Sequence, residues 1–412
     1  MLKRVIGVMA AVAAALAGTA CTTVISGDPA ANCSWATATA TAQQAASSDT
    51  VVLVDITASF WPKAGQQSQL PDDPVSVSVN ALLQDFATAG TRLVSFGTFD
   101  GSSTTIDWKV SGAALPTPTG DNGSITGEKR NAATCLTGIV KSAVSAAPQA
   151  PGTDVMAALA AAGQQLQGSP AAGDRVVLIT DGLSNTGCLN LSAVISKGKP
   201  ASAIPGSCPE RTGLASLHGI ALQLDGIGFQ AAQPALNTAE QAWVEGYWSE
   251  LCAALGVRTP ASCVAPAGVG TARTSTVAHL TDPGIVFPSV PKGATSVPIP
   301  ADLLFAFDSS ALSPAAQAYI GILAQQVKAQ GRSIVKVIGY TDAVGSQSYN
   351  LGLSQRRAQA VVASLALDGF SHVTAVGAGE SDPACSPQYT PAGAPIASCM
   401  AQDRRVQIIL GG

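Results

Sequence analysis

Charged residues are scarce in this chain of 412 residues. Only 12% are Asp, Glu, Lys or Arg, with 22 basic against 26 acidic side chains and a net charge of −4. That balance argues against a nucleic-acid-binding protein, which needs a basic surface. It also excludes bulk disorder, because disordered chains carry more charge and fewer apolar residues than the 47% present here.

Histidines and long apolar runs are equally few. The 3 histidines are far apart and have no Cys or His beside them at ligand spacing, which argues against a zinc enzyme built on a histidine cluster. The mean hydropathy is positive, at +0.29, but residues 5–17 form the one extended apolar run. A membrane span needs about 20 residues, so the sequence excludes a multi-pass membrane protein.

The beginning of the chain has the order of a secretory signal. Lys3 and Arg4 precede the apolar run, and small residues precede Cys21. This arrangement resembles a bacterial lipobox, in which Cys21 would become the lipidated first residue, although Gly18 replaces the usual leucine. Cleavage and release as a soluble protein is the alternative. We predict a signal peptide (residues 1–20), then a lipidated Cys21 and a flexible tether (residues 21–48).

The sequence contains 9 cysteines. With Cys21 set aside for the lipid, an even number remains, which outside the cytoplasm predicts up to four disulfides. About 105 pairings are possible, and sequence alone does not choose among them. Short spacing favours three pairs and leaves a fourth by elimination: Cys188–Cys208, Cys252–Cys263, Cys385–Cys399 and Cys33–Cys135.

Residues 49–260 alternate between apolar runs and helical patterns. The runs cover 50–55, 92–99, 175–181 and 218–229, and the helical patterns cover 132–146, 154–166 and 239–255. Continuous apolar runs are typical of strands buried on both faces of a parallel sheet. Their alternation with helices predicts a doubly wound α/β domain. A linker rich in Pro, Gly, Ser and Thr is predicted over residues 261–296.

Residues 297–412 predict a second, smaller domain. Strands are expected at 303–308, 333–341, 373–378 and 404–410, and helices at 314–330 and 354–367. This β-α-β-α-β-β order is typical of a compact α+β sandwich.

Oxygen-bearing side chains follow the predicted strands of the first domain. Asp55, Thr57 and Ser59 come directly after one strand, Asp181 ends another, and Thr153 precedes a helix. In an open α/β sheet, ligands bind at the carboxyl ends of the strands. Carboxylates and hydroxyls are the ligands that suit Mg²⁺ or Ca²⁺. The alternative is that these aspartates only end strands and cap loops.

This pattern resembles the von Willebrand factor type A domain and its metal-ion-dependent adhesion site. The family pattern is Asp-x-Ser/Thr-x-Ser, then a threonine on a later loop, then Asp-Gly, and all five ligand positions are present here. The resemblance implies a divalent cation, with Mg²⁺ favoured over Ca²⁺ or Mn²⁺. It also implies that the metal keeps one coordination position open for a carboxylate of a protein partner, here an envelope protein that the sequence does not identify.

A charged pair stands out in the second domain. Asp342 follows a predicted strand, and Arg357 is expected in the first turn of the next helix, so the two side chains are expected to meet. Alone they would form a salt bridge. With a ligand between them, Arg357 would bind a carboxylate by two hydrogen bonds while Asp342 accepts from an ammonium group, which matches the zwitterionic end of an amino acid.

The segment from Thr341 to Arg357 closely resembles the OmpA-like peptidoglycan-binding domain. The resemblance implies that Asp342 and Arg357 bind the free end of diaminopimelate in the wall stem peptide, with Asn350 and Arg404 as neighbours. Three positions depart from the usual pattern, where His, Asn and Asn are common: Tyr340, Ala343 and Asp403.

Catalytic patterns are missing from the sequence. Phosphatases of the haloacid dehalogenase type need a second acid where Thr57 stands, and there is no Gly-x-Ser-x-Gly elbow. We therefore predict a non-enzymatic lipoprotein of the bacterial cell envelope that binds peptidoglycan and a protein partner. An envelope hydrolase localised by its wall-binding domain, and a wall anchor with a purely structural α/β domain, are the alternatives.

Overall fold

The computed structural model describes most of the chain beyond its first thirty or so residues. The described residues are 32–37, 48–61, 67–70, 73–88, 90–102, 104–166, 171–231, 235–265, 271–274 and 280–412. The predicted signal peptide, Cys21 and most of the predicted tether lie outside them. Among the described residues, no helix is long and apolar enough to cross a membrane.

The first sheet contains five strands in the order β4-β3-β1-β5-β6. Four of them are mutually parallel, and β4 pairs antiparallel at one edge. A separate antiparallel pair joins β2 to β7. The strands of this half are β1 (Ser48–Asp55), β2 (Gln67–Leu70), β3 (Arg92–Phe99), β4 (Asp107–Ala114), β5 (Arg175–Ile179), β6 (Ala221–Asp225) and β7 (Thr271–Thr274).

Helices cover both faces of this sheet. Val51 and Leu53 of β1 belong to one cluster of buried side chains, and the alternate residues Val52 and Val54 belong to a second. Successive side chains of a strand point to opposite faces, so a strand apolar at every position must be covered twice. The helices are α1 (Ser34–Thr37), α2 (Pro74–Leu82), α3 (Asn122–Val144), α4 (Val155–Gln165), α5 (Leu191–Lys197), α6 (Ile204–Ser207), α7 (Arg211–Ala215) and α8 (Thr238–Leu255).

The sequence prediction for this half missed the strands β2, β4 and β7 and the helices α1, α2, α5, α6 and α7. Helix α3 begins at Asn122, ten residues before the predicted start, because Asp121 caps it by accepting a hydrogen bond from the Ser124 backbone N–H at 2.9 Å. Strand β4 was not predicted. Its positions are mixed, with Val110, Gly112 and Ala113 buried and Lys109 and Ser111 exposed, and so it lacks a continuous apolar run.

The second sheet has four strands in the order β10-β9-β11-β8. Strand β10 runs parallel to β9, whereas β11 runs antiparallel to both β9 and β8. The predicted β-α-β-α-β-β order is present, with a short additional helix before the last strand. The elements are β8 (Ser296–Pro300), α9 (Pro314–Ala329), β9 (Ser333–Tyr340), α10 (Gln347–Leu367), β10 (Thr374–Gly379), α11 (Ala397–Asp403) and β11 (Arg405–Gly411).

Two sequence predictions for this sheet are wrong. The strand predicted at 303–308 is instead a 3₁₀ turn at Ala301–Leu303 followed by a loop, and the first strand is β8. The prediction assumed that the apolar residues of this segment are buried. Phe307 is instead fully exposed. Helix α10 begins at Gln347, capped by Ser346, rather than at 354. Arg357 therefore lies in the middle of the helix and not in its first turn.

The two halves share one hydrophobic core. A single cluster of buried side chains includes Trp243 and Trp248 of α8 together with Ala316 and Tyr319 of α9. At Gly246 the two helices approach so closely that an added Cβ would lie 2.7 Å from the Ala315 backbone nitrogen. The two sheets are thus joined by packed helices as well as by the connecting chain.

The described cysteines form four disulfides, which are the three pairs that short spacing favoured and the one left by elimination. Three close short loops: Cys188–Cys208, Cys252–Cys263 and Cys385–Cys399. The fourth, Cys33–Cys135, joins residues 102 positions apart and attaches the segment around α1 to α3.

Candidate functional site

The first site lies at the carboxyl edge of the five-stranded sheet. Asp55 is the last residue of β1 and is completely buried. Its Oδ1 accepts a hydrogen bond from the Thr57 backbone N–H at 2.8 Å, and its Oδ2 accepts one from the Thr180 hydroxyl at 2.7 Å. The indole N–H of Trp61 donates to the Asp55 carbonyl at 2.6 Å, which holds the loop after β1 in a tight turn.

Three hydroxyl groups meet beside this carboxylate. The Thr57 Oγ1 lies 2.9 Å from the Thr153 Oγ1 and 3.2 Å from the Ser59 Oγ. Thr153 stands just before α4, and its backbone N–H donates to the Asn185 Oδ1 at 2.8 Å. The fold therefore brings together hydroxyls that are separated by 96 residues in sequence.

Asp181 supplies a second buried carboxylate. Its Oδ1 accepts from the Leu183 backbone N–H at 2.9 Å, while its Oδ2 is buried and has no hydrogen-bond partner among the described residues. Burial raises the pKa of Asp55 to about 7, and burial together with the nearby Asp55 raises the pKa of Asp181 well above its usual range. Neither carboxylate has an ion pair with a described Lys, Arg or His. Hydroxyls and carboxylates with an unused buried oxygen fit a hard divalent cation.

A third carboxylate, which the sequence did not predict, reaches this site. Asp282 lies in the predicted linker, and its Oδ2 accepts from the Ser59 backbone N–H at 2.9 Å. The Thr153 hydroxyl donates to the same oxygen at 3.3 Å, and the Asn185 side chain donates to the Asp282 Oδ1. The one available signal was that Asp282 is the single acidic residue of 261–296. Only the fold shows where it points.

The second site is a cavity of about 710 Å³ against the four-stranded sheet. Its lining includes all four residues that sequence predicted for ligand binding: Asp342, Asn350, Arg357 and Arg404. Two residues of the first half, Pro200 and Ser202, also contribute to the wall.

Asp342 is positioned by the end of β9 and the start of α10. Gly339 of β9 allows the close approach, because an added Cβ would lie 2.2 Å from the Ser354 carbonyl oxygen of α10. The Asp342 Oδ1 accepts from the Val344 backbone N–H at 3.1 Å. The Asn350 side chain donates to the Asp342 carbonyl at 3.2 Å and to the Glu380 carboxylate at 3.1 Å.

The ion pairs of this cavity differ from the expected one. Asp342 pairs with Arg404, at 2.8 Å between Oδ2 and Nη1, and not with Arg357. The Arg404 guanidinium also binds both oxygens of Asp302, at 2.8 and 3.1 Å. These hydrogen bonds, those to Asp302 first, raise the pKa of Arg404, so it is permanently charged.

Arg357 is buried without a carboxylate partner. Only 5% of the residue is exposed, its Nε donates to the Ser309 carbonyl at 2.9 Å, and its guanidinium lies 5.2 Å from the centre of the Phe305 ring. Burial lowers its pKa. No described acid lies within ion-pair distance of this arginine. Its two terminal nitrogens are thus available to a ligand in the cavity.

The OmpA family model matches residues 304–392, the segment that builds most of this cavity. Outer membrane protein A of Escherichia fergusonii is 40% identical over 118 residues, which cover 27% of this chain and 48% of that protein. Outer membrane protein A of Escherichia coli O157:H7 is also 40% identical over 118 residues, or 34% of its length. The C-terminal part of this chain is an OmpA-like domain. The matched segment thus spans between a third and a half of these relatives.

Solved structures similar to the OmpA-like domain include two from other bacteria. The peptidoglycan-associated lipoprotein of Burkholderia pseudomallei is 31% identical, with 29% of this chain and 91% of that chain covered and a TM-score of 0.22. The cell wall anchor of the T6SS of Pseudomonas aeruginosa is 27% identical, with 28% and 81% covered and a TM-score of 0.24.

The three unusual residues of the OmpA-like domain have structural roles around the cavity. The Tyr340 ring lies 3.8 Å below the Arg405 guanidinium. The Ala343 backbone N–H donates to the Gln388 side chain at 2.9 Å, and the Asp403 carboxylate accepts from the Cys385 backbone N–H at 3.0 Å. The last two contacts attach the disulfide-closed loop to the domain.

Proposed function

We propose that this protein is a non-enzymatic component of the bacterial cell envelope that binds peptidoglycan through its OmpA-like domain. The observation that carries the proposal is the buried Arg357, which has no acid partner among the described residues and lines the same cavity as Asp342. A guanidinium fork binds a carboxylate through two parallel hydrogen bonds. Asp342 is then the acceptor for an ammonium group of the same ligand.

The ligand that fits is the free end of diaminopimelate in a stem peptide. That end carries one carboxylate and one ammonium on the same carbon, so it presents opposite charges to Arg357 and Asp342. Arg404 fixes the Asp342 carboxylate before the ligand arrives, which lowers the cost of ordering the site on binding.

Titration with a purified stem peptide tests this proposal. The full protein should bind a peptide with a free diaminopimelate end and should fail to bind one whose ammonium is acetylated and whose carboxylate is amidated. Asp342→Ala and Arg357→Ala should each lose most of the binding. Equal binding of the free and the blocked peptides would show that the cavity does not recognise the zwitterion.

We further propose that the N-terminal half is a von Willebrand factor A-like domain with a divalent-cation site for a protein partner. Asp55, Thr57, Ser59, Thr153 and Asp181 would hold the cation, with Mg²⁺ favoured. The support is that these five residues, which come from three separate segments of the sequence, lie at one sheet edge. In addition, the Asp181 Oδ2 is buried and has no hydrogen-bond partner among the described residues. The cation would supply the positive charge that the two buried carboxylates lack.

Thermal unfolding tests the cation site. Mg²⁺ should raise the Tm of the wild type, because a ligand of the folded state stabilises it by RT ln(1 + [L]/Kd). Asp181→Asn, which keeps the shape and removes the charge, should lose that response. Asp382→Asn, on an exposed carboxylate of the OmpA-like domain, should keep it. An unchanged Tm of the wild type with Mg²⁺, Ca²⁺ and Mn²⁺ would remove the cation from the proposal.

A lipid on Cys21 completes the proposed arrangement, in which one end of the protein is held at a membrane and the other at the wall. Mass spectrometry of the mature N-terminus tests the lipid. A chain that begins elsewhere than at a diacylated Cys21 would favour release as a soluble protein.

Incubation of the protein with purified walls tests the hydrolase alternative. No soluble wall fragments should be released, whereas their release would support a hydrolase.

A further inference from the structure

The segment that precedes β8 contacts both halves of the protein. We call residues 280–290 the strap. It begins at the proposed cation site with Asp282. Further along, the Val286 backbone N–H donates to the Ser192 hydroxyl of α5 at 2.9 Å, and Phe287 packs edge to face on Trp243 of α8, with ring centres 5.8 Å apart.

The other end of the strap is fixed to the OmpA-like domain. The Gln326 side chain of α9 donates to the Pro288 carbonyl and accepts from the Val290 backbone N–H, both at 2.7 Å. The Gln330 side chain donates to the Val290 carbonyl, also at 2.7 Å. A continuous chain of about ten residues thus runs from the cation site to the first helix of the OmpA-like domain.

Asp282 is held at the site by groups that belong to the proposed cation-binding loops. Both of its oxygens are bonded: Oδ2 to the Ser59 N–H and the Thr153 hydroxyl, and Oδ1 to the Asn185 side chain. Asn185 also donates to the Pro283 carbonyl at 2.7 Å, so the strap backbone is fixed together with the carboxylate.

A third acid at this place is unfavourable without a cation. Asp282 is bonded to Ser59 and Thr153 in the same site as the buried carboxylates of Asp55 and Asp181. Like charges in a buried site oppose one another, and nothing among the described basic residues pairs with them. The three carboxylates do not all lie within 4.8 Å of one another, so a shared cation would be held through the hydroxyls and waters as well.

We propose that Asp282 is an internal ligand of the cation, in the position that a partner's carboxylate would otherwise occupy. The inference rests on the proposed cation site and adds two properties to it. The cation fastens the strap, and through the strap it connects the α/β half to the OmpA-like domain. A protein partner that binds through its own carboxylate must first displace Asp282.

Mn²⁺ bound to the full protein provides the test, because it accepts the same oxygen ligands as Mg²⁺ and is paramagnetic. If Asp282 is a ligand, Asp282→Asn should weaken Mn²⁺ binding by about 10-fold or more, since even outer-shell partners of a metal contribute 10- to 100-fold. The bound Mn²⁺ should also gain one water molecule, seen as higher water-proton relaxivity per bound ion. Asp382→Asn is the charge-matched control and should change neither quantity.

Hydrogen exchange of the strap gives a second readout. In the wild type, Mn²⁺ should slow exchange of the backbone amides of Val286 and Val290, and a chelator should reverse the effect. In Asp282→Asn the amides should exchange at the metal-free rate whether or not Mn²⁺ is present.

The outcomes separate this inference from the cation site itself. If the wild type binds Mn²⁺ and Asp181→Asn does not, while Asp282→Asn keeps wild-type affinity, relaxivity and strap exchange, then the site stands and Asp282 is not a ligand. If the wild type binds no Mn²⁺, the cation site and the inference both fail.

Discussion

Arg404 is bonded to Asp342 at 2.8 Å, and no described acid lies within ion-pair distance of Arg357 in the same cavity. The ion pair that the sequence suggested between Asp342 and Arg357 is therefore replaced by a different one. The two arginines have separate tasks in the proposed function. Arg404 orients the acceptor for an ammonium group, and Arg357 supplies the donors for a carboxylate.

The effect of replacing Arg357 on stem-peptide affinity should depend on hydrogen-bond geometry as well as on charge. Arg357→Lys keeps the charge but loses the planar fork, so we expect stem-peptide binding to weaken by about 10-fold, and Arg357→Ala to weaken it by about 10- to 100-fold. Arg356→Ala removes an exposed arginine one position away and should leave the affinity unchanged. Isothermal titration of the three variants measures this order. A lysine variant with wild-type affinity would contradict a bidentate contact.

Loss of Arg404 should lower the free energy of unfolding of the protein and its affinity for the stem peptide. Arg404→Ala leaves Asp302 and Asp342 without their shared partner, and charge-assisted hydrogen bonds contribute about 1.5–3 kcal/mol each. Because the pair is partly exposed, we expect a loss of about 1–2 kcal/mol in the free energy of unfolding, measured by urea denaturation.

Lys109→Ala is the control for that measurement. It breaks an exposed pair with Asp107 and should cost less than about 1 kcal/mol. Equal losses in the Arg404 and Lys109 variants would mean that the cavity pair contributes no more than a surface pair.

The contact between α8 and α9 should tolerate no added atom at Gly246. Gly246→Ala places a Cβ 2.7 Å from the Ala315 nitrogen, and such overpacking costs about 1–3 kcal/mol. Gly138→Ala, in the interior of α3 with nothing within 4 Å, should instead stabilise by about 0.4–1 kcal/mol through helix propensity. Thermal unfolding should show a lower Tm for Gly246→Ala and a higher Tm for Gly138→Ala than for the wild type. A stabilised Gly246→Ala would show that the helices separate easily.

Glu250 of α8 should make the interface between the halves sensitive to pH. Burial raises its pKa above the ordinary 4.5, while the nearby Ser313 hydroxyl and Ala315 backbone oppose the rise. A group with a raised folded pKa stabilises fully below the unfolded value, and the contribution is lost as pH rises through the folded value. As the pH rises above 4.5, the free energy of unfolding of Glu250→Gln should therefore increase relative to that of the wild type. Urea denaturation between about pH 4 and 8 tests this, and parallel curves would contradict it.

Local patterns predicted the parts of the fold that depend on local chemistry. The apolar run of β1 predicted a strand buried on both faces, and the acids and hydroxyls after it predicted a site at the sheet edge. The prediction failed where an apolar segment is not buried and where a local helix cap was overlooked. The apolar segment at 303–308 is a loop with Phe307 in solvent, and α10 starts seven residues early because Ser346 caps it.

The sequence by itself determined which chemical groups each half carries: oxygen donors after the strands of the first, and an aspartate with arginines in the second. Their partners were decided only by the tertiary structure. The choice of Arg404 over Arg357 for Asp342, and the arrival of Asp282 at Ser59 across 223 residues, depend on how packed helices and strands place distant loops. A hydrogen bond or ion pair requires contact within a few ångströms, and sequence spacing does not specify such distances between remote segments.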